Sequence, residues 1–278
     1  MSLAKFWKRL TDLGIVEIIA IKPNTPDFEN FYKIYVDAFP DPSERDSKEW
    51  IAEYTSDKYG KESINEGHLV KVIAIKSKKA GIVGFAITET IAATRNTAFG
   101  IIWYVVSAKD FFRHGLGSIL VQKAIVEMEH IAKEIFHRNY GGTLIEVNDP
   151  TKMTREQIEE DTIDPRHRLV FWFNLHFFEA DFGYAQPIKP GEEGEAVRYL
   201  MQMFRPEYKH WQKSMSIPAD EYSVILRKFL EFGIEVNPDK EPESIRMLSE
   251  IKSKGEVKLL YSVHKAKGAT SRIKAFSG

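Results

Sequence analysis

The sequence predicts a mixed α/β (α+β) protein, a mostly antiparallel central sheet flanked by helices and followed by a helical C-terminal extension. Three observations carry this prediction. The strand-like runs "HLVKVIAIK" and "GIVGFAITETI" flank a lysine-rich turn and read as a hairpin. "FGIIWYVV" is too uniformly β-branched and aromatic for an exposed strand, so it belongs in the centre of a sheet. The segment after Gly117 repeats apolar residues at helical spacing.

The N-terminal "MSLAKFWKRLTDLGIVEIIAIK" reads as a short helix and a strand, because Asp12 and Glu17 interrupt the apolar stretch that a signal peptide requires. Asp27 stands where it can cap a helix whose apolar residues Phe28, Phe31, Tyr35 and Ala38 share a face, and Pro40 and Pro42 end it. A helix restarts in "DPSERDSKEWIAEY" with Ser43 as cap and Asp46 in the capping-box position. The hairpin strands cover roughly 68–76 and 81–91, with Gly81 leaving the turn, and the central strand runs from Phe99 to Val106.

A long amphipathic helix follows, with Ile119, Leu120, Ala124, Met128, Ile131 and Ile135 facing inward and Lys123, Glu127 and Lys133 facing water. "GGTLIEVND" is another strand, and "PTKMTREQIEEDTIDPRHR" a partly helical excursion. "LVFWFNLHFFEADFGY" reads as a buried helix ending at Gly183, with strands around "YAQPIKP" and "EAVRYLMQMF". Beyond Arg205 the chain reads as mostly helical, giving a domain over 1–204 and an extension over 205–278.

Composition narrows the function. Thirty-nine Lys and Arg against 40 Asp and Glu leave a net charge of -1, so there is no global field to attract nucleic acid. The basic tail "HKAKGATSRIKAFSG", with Lys265, Lys267, Arg272 and Lys274, lacks interleaved aromatics and reads as solvated. Without cysteine there is no disulfide framework, thiolate ligand or cysteinyl intermediate. No apolar run approaches the roughly 20 residues that span a bilayer, which makes a cytoplasmic protein the expectation. His130, Glu134 and His137 share a helix face, but that helix is charged and no metal site is expected.

The sharpest signal is "FFRHGLGSIL", Phe111 to Leu120, between the central strand and the long helix. A turn there gathers unpaired backbone N–H groups at the positive end of the helix dipole. Gly115 and Gly117 leave the backbone of this stretch, through Leu116 and Ser118, open to a phosphate, and Arg113 and His114 add donors. The competing reading is a tight turn that only allows close packing. Neither G-x-G-x-x-G nor G-x-x-x-x-G-K-[ST] is present, which disfavours dinucleotide and P-loop sites.

This order of elements, with "FRHGLG" at the turn, resembles the GNAT acetyltransferase superfamily over about residues 15–204. In that family Q/R-x-x-G-x-G/A cradles the pyrophosphate of acetyl-CoA. Here both glycines match, while Phe112 replaces the first Gln or Arg and Arg113 follows one place later. The resemblance implies acetyl-CoA as acyl donor, an amine on a small molecule or peptide as acceptor, and a central strand that splays so that Tyr104, Val105 and Val106 pair with the pantetheine arm.

Acyl transfer to an amine requires a base, because an alkylamine with a pKa of about 10.4 is protonated at neutral pH. Glu89 and Glu146 are the candidates. The family tyrosine that protonates the departing thiolate falls at Phe178, leaving Tyr184, His176 or Tyr104 as substitutes. The other class of function is a CoA-ester sensor or interaction protein that has lost catalysis. Oligomeric state stays open.

Overall fold

The computed structural model describes residues 14–42, 45–112, 114–189, 191 and 194–266. They fall into two compact units: residues up to 92 together with 100–139, and residues 93–99 together with 140 onward. The expected N-terminal helix, Ser43 and most of the basic tail lie outside the described residues.

In the first unit, strands β1 (Ile15–Ala20), β2 (His68–Ser77), β3 (Gly81–Ala92) and β4 (Thr97–Ser107) lie side by side in that order. β1 and β3 both pair antiparallel with β2, so the predicted hairpin is present, and β4 covers the predicted central strand. Helix α1 (Pro26–Ala38) packs Phe28, Phe31 and Tyr35 inward, and Phe31 meets Phe85 of β3 edge-on at 4.7 Å.

The cap of α1 is Thr25, not Asp27. Thr25 accepts from the Phe28 N–H at 3.2 Å, and Pro26 sets the first helical φ while holding Thr25 extended. Asp27 instead pairs with Lys76 at 2.8 Å. The helix expected from Ser43 is two short ones, α2 (Lys48–Tyr54) and α3 (Asp57–Glu66), capped by Ser47 and Ser56. Asp46 gives its backbone N–H to the Tyr35 hydroxyl at 3.1 Å instead of closing a capping box. Helix α4 (Leu116–His130) buries Ile119, Leu120, Ala124 and Met128 as its spacing requires, and ends in a widened turn over 131–135.

The second unit holds β5 (Asn139–Asn148) and, after α5 (Arg155–Glu160) and α6 (Pro165–Asn174), the strands β6 (Phe178–Ala180) and β7 (Leu200–Pro206). After β7 come α7 (Lys209–Ser214), β8 (Ser216–Pro218), α8 (Ala219–Lys228), α9 (Pro242–Lys254) and β9 (Glu256–Leu260). Its strands run in the order β5-β7-β6-β9-β8, every neighbouring pair antiparallel.

Two expectations fail here, and a third holds with an addition. The aromatic stretch is a helix only to Asn174; His176 then takes φ +64° and Phe178–Ala180 form β6, because pairing with both β7 and β9 outweighs the helical reading of a short apolar run. The strand expected at "YAQPIKP" reduces to one bridge, Gln186 to Val197, where Pro187 removes the next donor. The segment after Arg205 is mostly helical but also supplies β8 and β9, and β9 pairs directly with β6.

Candidate functional site

The glycine junction of the first unit is a strand, a turn and a helix start. β4 leaves through Ala108, whose N–H bonds the Val83 carbonyl at 2.9 Å, and residues 109–111 form a single 3₁₀ turn. Gly115 then caps α4 at φ +82°, ψ 8°, a left-handed conformation that side chains resist. A β-carbon built on Gly115 would meet no atom within 4 Å. The glycine is therefore not required by close packing, only by backbone conformation.

The first bond of the helix is Ile119 N–H to the Gly115 carbonyl, so the N–H groups of Leu116, Gly117 and Ser118 have no acceptor within the helix. No acidic residue lies in this first turn to offset the dipole. Leu116 is buried and anchors the turn, while His114, Gly117 and Ser118 are half-buried. Arg113 lies outside the described residues. Phe112, where the GNAT pattern has Gln or Arg, is 47% exposed.

Along β4, Trp103, Tyr104 and Val105 are half-buried, whereas Val106 is buried. Tyr104 sits edge-on to Tyr35 at 5.1 Å and Phe39 at 5.0 Å. Gly84 of β3 was not legible as a functional residue. A β-carbon there would stand 2.8 Å from the Val106 carbonyl oxygen, so the glycine is what allows β3 to approach β4 at this point.

The two candidate carboxylates occupy different units. Glu89 on β3 is buried; its Oε1 lies 2.7 Å from His68 Nδ1, and its Oε2 accepts from Trp103 Nε1 at 3.2 Å. Burial pulls the His68 imidazole down, but Glu89, helped by Glu66, more than offsets this and holds its pKa above the usual value. Both oxygens of Glu89 are thus engaged.

In the second unit the structure brings Glu146 and Tyr184 together across 38 positions of sequence, with the Tyr184 hydroxyl donating to Glu146 Oε1. Glu146 is half-buried on β5. Burial pushes its carboxyl up to about 7, against the opposing pull of the Tyr184 bond. Burial first, and then the charge of Glu146, raise the Tyr184 phenol well above its ordinary value. A carboxyl poised near neutrality is suited to taking a proton at neutral pH.

Tyr184 is held from its main chain as well. The N–H of Gly183 donates to both carboxylate oxygens of Glu250, at 3.0 and 3.2 Å, and the Gly183 carbonyl accepts from Arg246, both partners lying on α9. Gln202 and Tyr222, also around this pair, carried no signal in the sequence, since only the β5–β7 register and the placement of α8 bring them in. Of the other substitutes for the family tyrosine, His176 is exposed and Tyr104 belongs to the first unit. Phe178, at the family position, rests against Tyr261 at 6.3 Å.

The basic stretch before α6 is an ion-paired helix start: Arg166 pairs with Asp164 at 2.7 Å and Arg168 with Asp161 at 2.6 Å. Lys265 corrects the reading of the tail as solvated. It is half-buried between Asp149, at 2.7 Å, and Glu179, at 2.8 Å. Among the described residues no group of three or more His, Asp or Glu side chains could hold a metal ion. Among them, too, no helix is long and apolar enough to cross a membrane.

No protein-family profile matches the chain, and no curated protein is similar to it in sequence. Similar solved structures are N-acetyltransferases. A Bacteroides thetaiotaomicron protein described as a GNAT-family acetyltransferase is 16% identical, with 80% of this chain and 99% of that one covered and a TM-score of 0.49. The ribosomal-protein-S18-alanine N-acetyltransferase from Escherichia coli is 16% identical over 68% of this chain and 94% of its own, with a TM-score of 0.42. Arabidopsis thaliana NAA60, solved in complex with a bisubstrate analogue, is 14% identical over 68% and 98%, with a TM-score of 0.38.

Proposed function

We propose that the chain is a GNAT-type N-acyltransferase that takes an acetyl group from acetyl-CoA and transfers it directly to a primary amine. The observation that carries this reading is the capping of α4 by a left-handed Gly115 with open space above it, one short turn after a strand in which Trp103, Tyr104 and Val105 are half-buried. In this reading the N–H groups of Leu116, Gly117 and Ser118 receive the paired phosphates of CoA, with Arg113 and His114 as further donors. Main-chain groups at Tyr104, Val105 and Val106 pair with the pantetheine arm, and an N–H in that stretch polarises the thioester oxygen.

The chemistry follows from charge. The acceptor ammonium must lose a proton; Glu89 and Glu146 are the candidate bases, and a carboxyl pushed up to about 7, as that of Glu146 is, suits the role. The amine nitrogen then attacks the thioester carbon, the C–S bond breaks, and the thiolate leaves. Tyr184 is the protein's candidate donor to that thiolate; water serves otherwise, because a thiol with a pKa near 8.5 is a fair leaving group. A cytoplasmic setting fits a CoA-dependent enzyme.

Calorimetry with CoA tests the donor site. Wild-type protein should bind CoA in preference to ATP and NAD, and Gly115→Val should lose most of that affinity, roughly tenfold or more, while keeping its circular dichroism. Unchanged affinity in the variant, or no binding by the wild type, would end the reading. Phe112 and Phe178 favour a second one, a CoA-ester sensor without catalysis. Steady thiol release with a panel of amines would exclude it.

A further inference from the structure

We propose that Glu89 acts through His68: the buried carboxylate orients the imidazole, and Nε2 of His68 is the atom that takes the proton of the acceptor amine. The inference deepens the acyltransferase reading and rests on it. His68 opens β2 directly after Gly67, which caps α3 at φ +91°. The register sets His68 opposite Ile91 and Val70 opposite Glu89, so His68 and Glu89 are diagonal neighbours on one face of the β2–β3 hairpin. Both are buried, and Nδ1 of His68 lies 2.7 Å from Oε1 of Glu89. The other oxygen accepts from Trp103 Nε1 at 3.2 Å, which fixes the carboxylate against β4 next to Tyr104.

The two ring nitrogens face unlike surroundings. Nδ1 meets a carboxylate whose side chain is 4% exposed, whereas Nε2 stands 3.5 Å from Glu66, the last residue of α3, whose side chain is 69% exposed. A neutral imidazole carries a single N–H. Were it on Nε2, then Nδ1 and Oε1 would be two buried acceptors 2.7 Å apart with no proton between them, a costly arrangement. On Nδ1 the same proton satisfies Glu89, and Glu66 is free to turn to water. The neutral ring is therefore a base at its outer nitrogen, with its tautomer set by the buried acid.

Once protonated, the ring donates to both carboxylates. The ionisable groups that face it are Glu89 from β3 and, from α3, Glu66 and the ring of Tyr59, edge-on at 6.1 Å. Burial favours the neutral ring and the two acids the charged one, and the acids prevail. His68 accordingly keeps its proton to a higher pH than a free histidine does, and is a base above that point. In the transfer an N–H bond of the acceptor ammonium breaks and its proton forms Nε2–H. The freed lone pair attacks the thioester carbon, and the imidazolium later returns the proton to water beside Glu66, while Glu89 stays ionised throughout.

Nitrogen-15 NMR of the ring, in the full chain without substrate and with His68 assigned through its backbone, tests the dyad. The titration midpoint should lie above the ordinary 6.5, and above it the remaining proton should sit on Nδ1. Glu89→Gln should lower the midpoint by about one pH unit or more, and Glu66→Gln by less. A neutral ring protonated on Nε2, or a midpoint unmoved in folded Glu89→Gln, overturns the inference; should the variants not fold, the wild-type tautomer decides alone. In acetyl transfer, His68→Gln should lower kcat roughly 100-fold or more, leave CoA affinity as it is, and remove the rise of rate with pH that the neutral ring provides. A folded variant with the wild-type pH profile overturns proton transfer at Nε2. The ring spectrum needs neither CoA nor amine, so failure of the dyad is distinct from failure of the acyltransferase reading, which the CoA measurement tests.

Discussion

Glu146 is held at a cost to the fold. Its pKa in the folded protein lies near 7, above the ordinary value of 4.5, so it favours the folded state only when protonated. That contribution is complete below about pH 4.5 and is lost as the pH rises through about 7. Glu146→Gln should therefore stabilise the fold near pH 8, by on the order of 1–2 kcal/mol read from thermal unfolding, and change it little near pH 4. Equal midpoints at both pH values would mean that the carboxyl is not strained by burial. The carboxylate that a base needs and the neutral group that the fold prefers are in conflict here.

At the scale of elements, the approach of β3 to β4 is controlled by one position. Gly84→Ala puts a methyl carbon against the Val106 carbonyl, a main-chain atom that moves only if β4 moves. A destabilisation of about 1–3 kcal/mol in urea unfolding is expected, together with weaker CoA binding, since the displaced stretch is the one assigned to the pantetheine arm. Thr25→Ala is the matched comparison. It removes a cap from α1, should cost about 1 kcal/mol, and should leave CoA affinity unchanged. Loss of CoA binding in both variants would show that the effect is general instability and not strand geometry.

At the scale of the whole molecule, the segment after 204 is not a detachable tail. It supplies the strand β9 that pairs with β6, the buried Trp211, Tyr222 and Phe229, and the α9 side chains that grip Gly183. Lys265 closes it onto the unit by neutralising Asp149, which is fully buried, and Glu179. Removing one charge of a buried group typically costs about 3–5 kcal/mol, so Lys265→Met should be severely destabilised in denaturant melts. Burial raises the Asp149 carboxyl, but bonds from Lys265 and Thr151 outweigh this and depress it. Its stabilisation is accordingly present above about 3.8 and lost as the pH falls through the lower folded value, and the Lys265 variant should lose this acid sensitivity. A chain cut after residue 204 should fail to yield a soluble second unit; a folded, monomeric fragment would refute the dependence.

Much of the first unit was legible in the chain itself. Two strand-like runs around a lysine-rich turn marked the β2–β3 hairpin, unbroken apolarity marked β4, and the three-and-four spacing marked α1 and α4, because each of these patterns is local to its own stretch of chain. The spacing of Gly115 and Gly117 was equally local, and it marked the turn between β4 and α4 at which Gly115 caps the helix. What needed tertiary structure were features joining distant residues. The aromatic run 169–184 suits a buried helix or a buried strand equally well, and only pairing with β7 and β9 decides that its end is β6. The bond from Tyr184 to Glu146, the orphan amide of Gln202 and the pairing of Lys265 with Asp149 have no periodicity to announce them. The physical reason is range: backbone propensity and side-chain spacing act over a few residues and are written in order along the chain, whereas desolvation and charge pairing depend on which surfaces meet once it has folded.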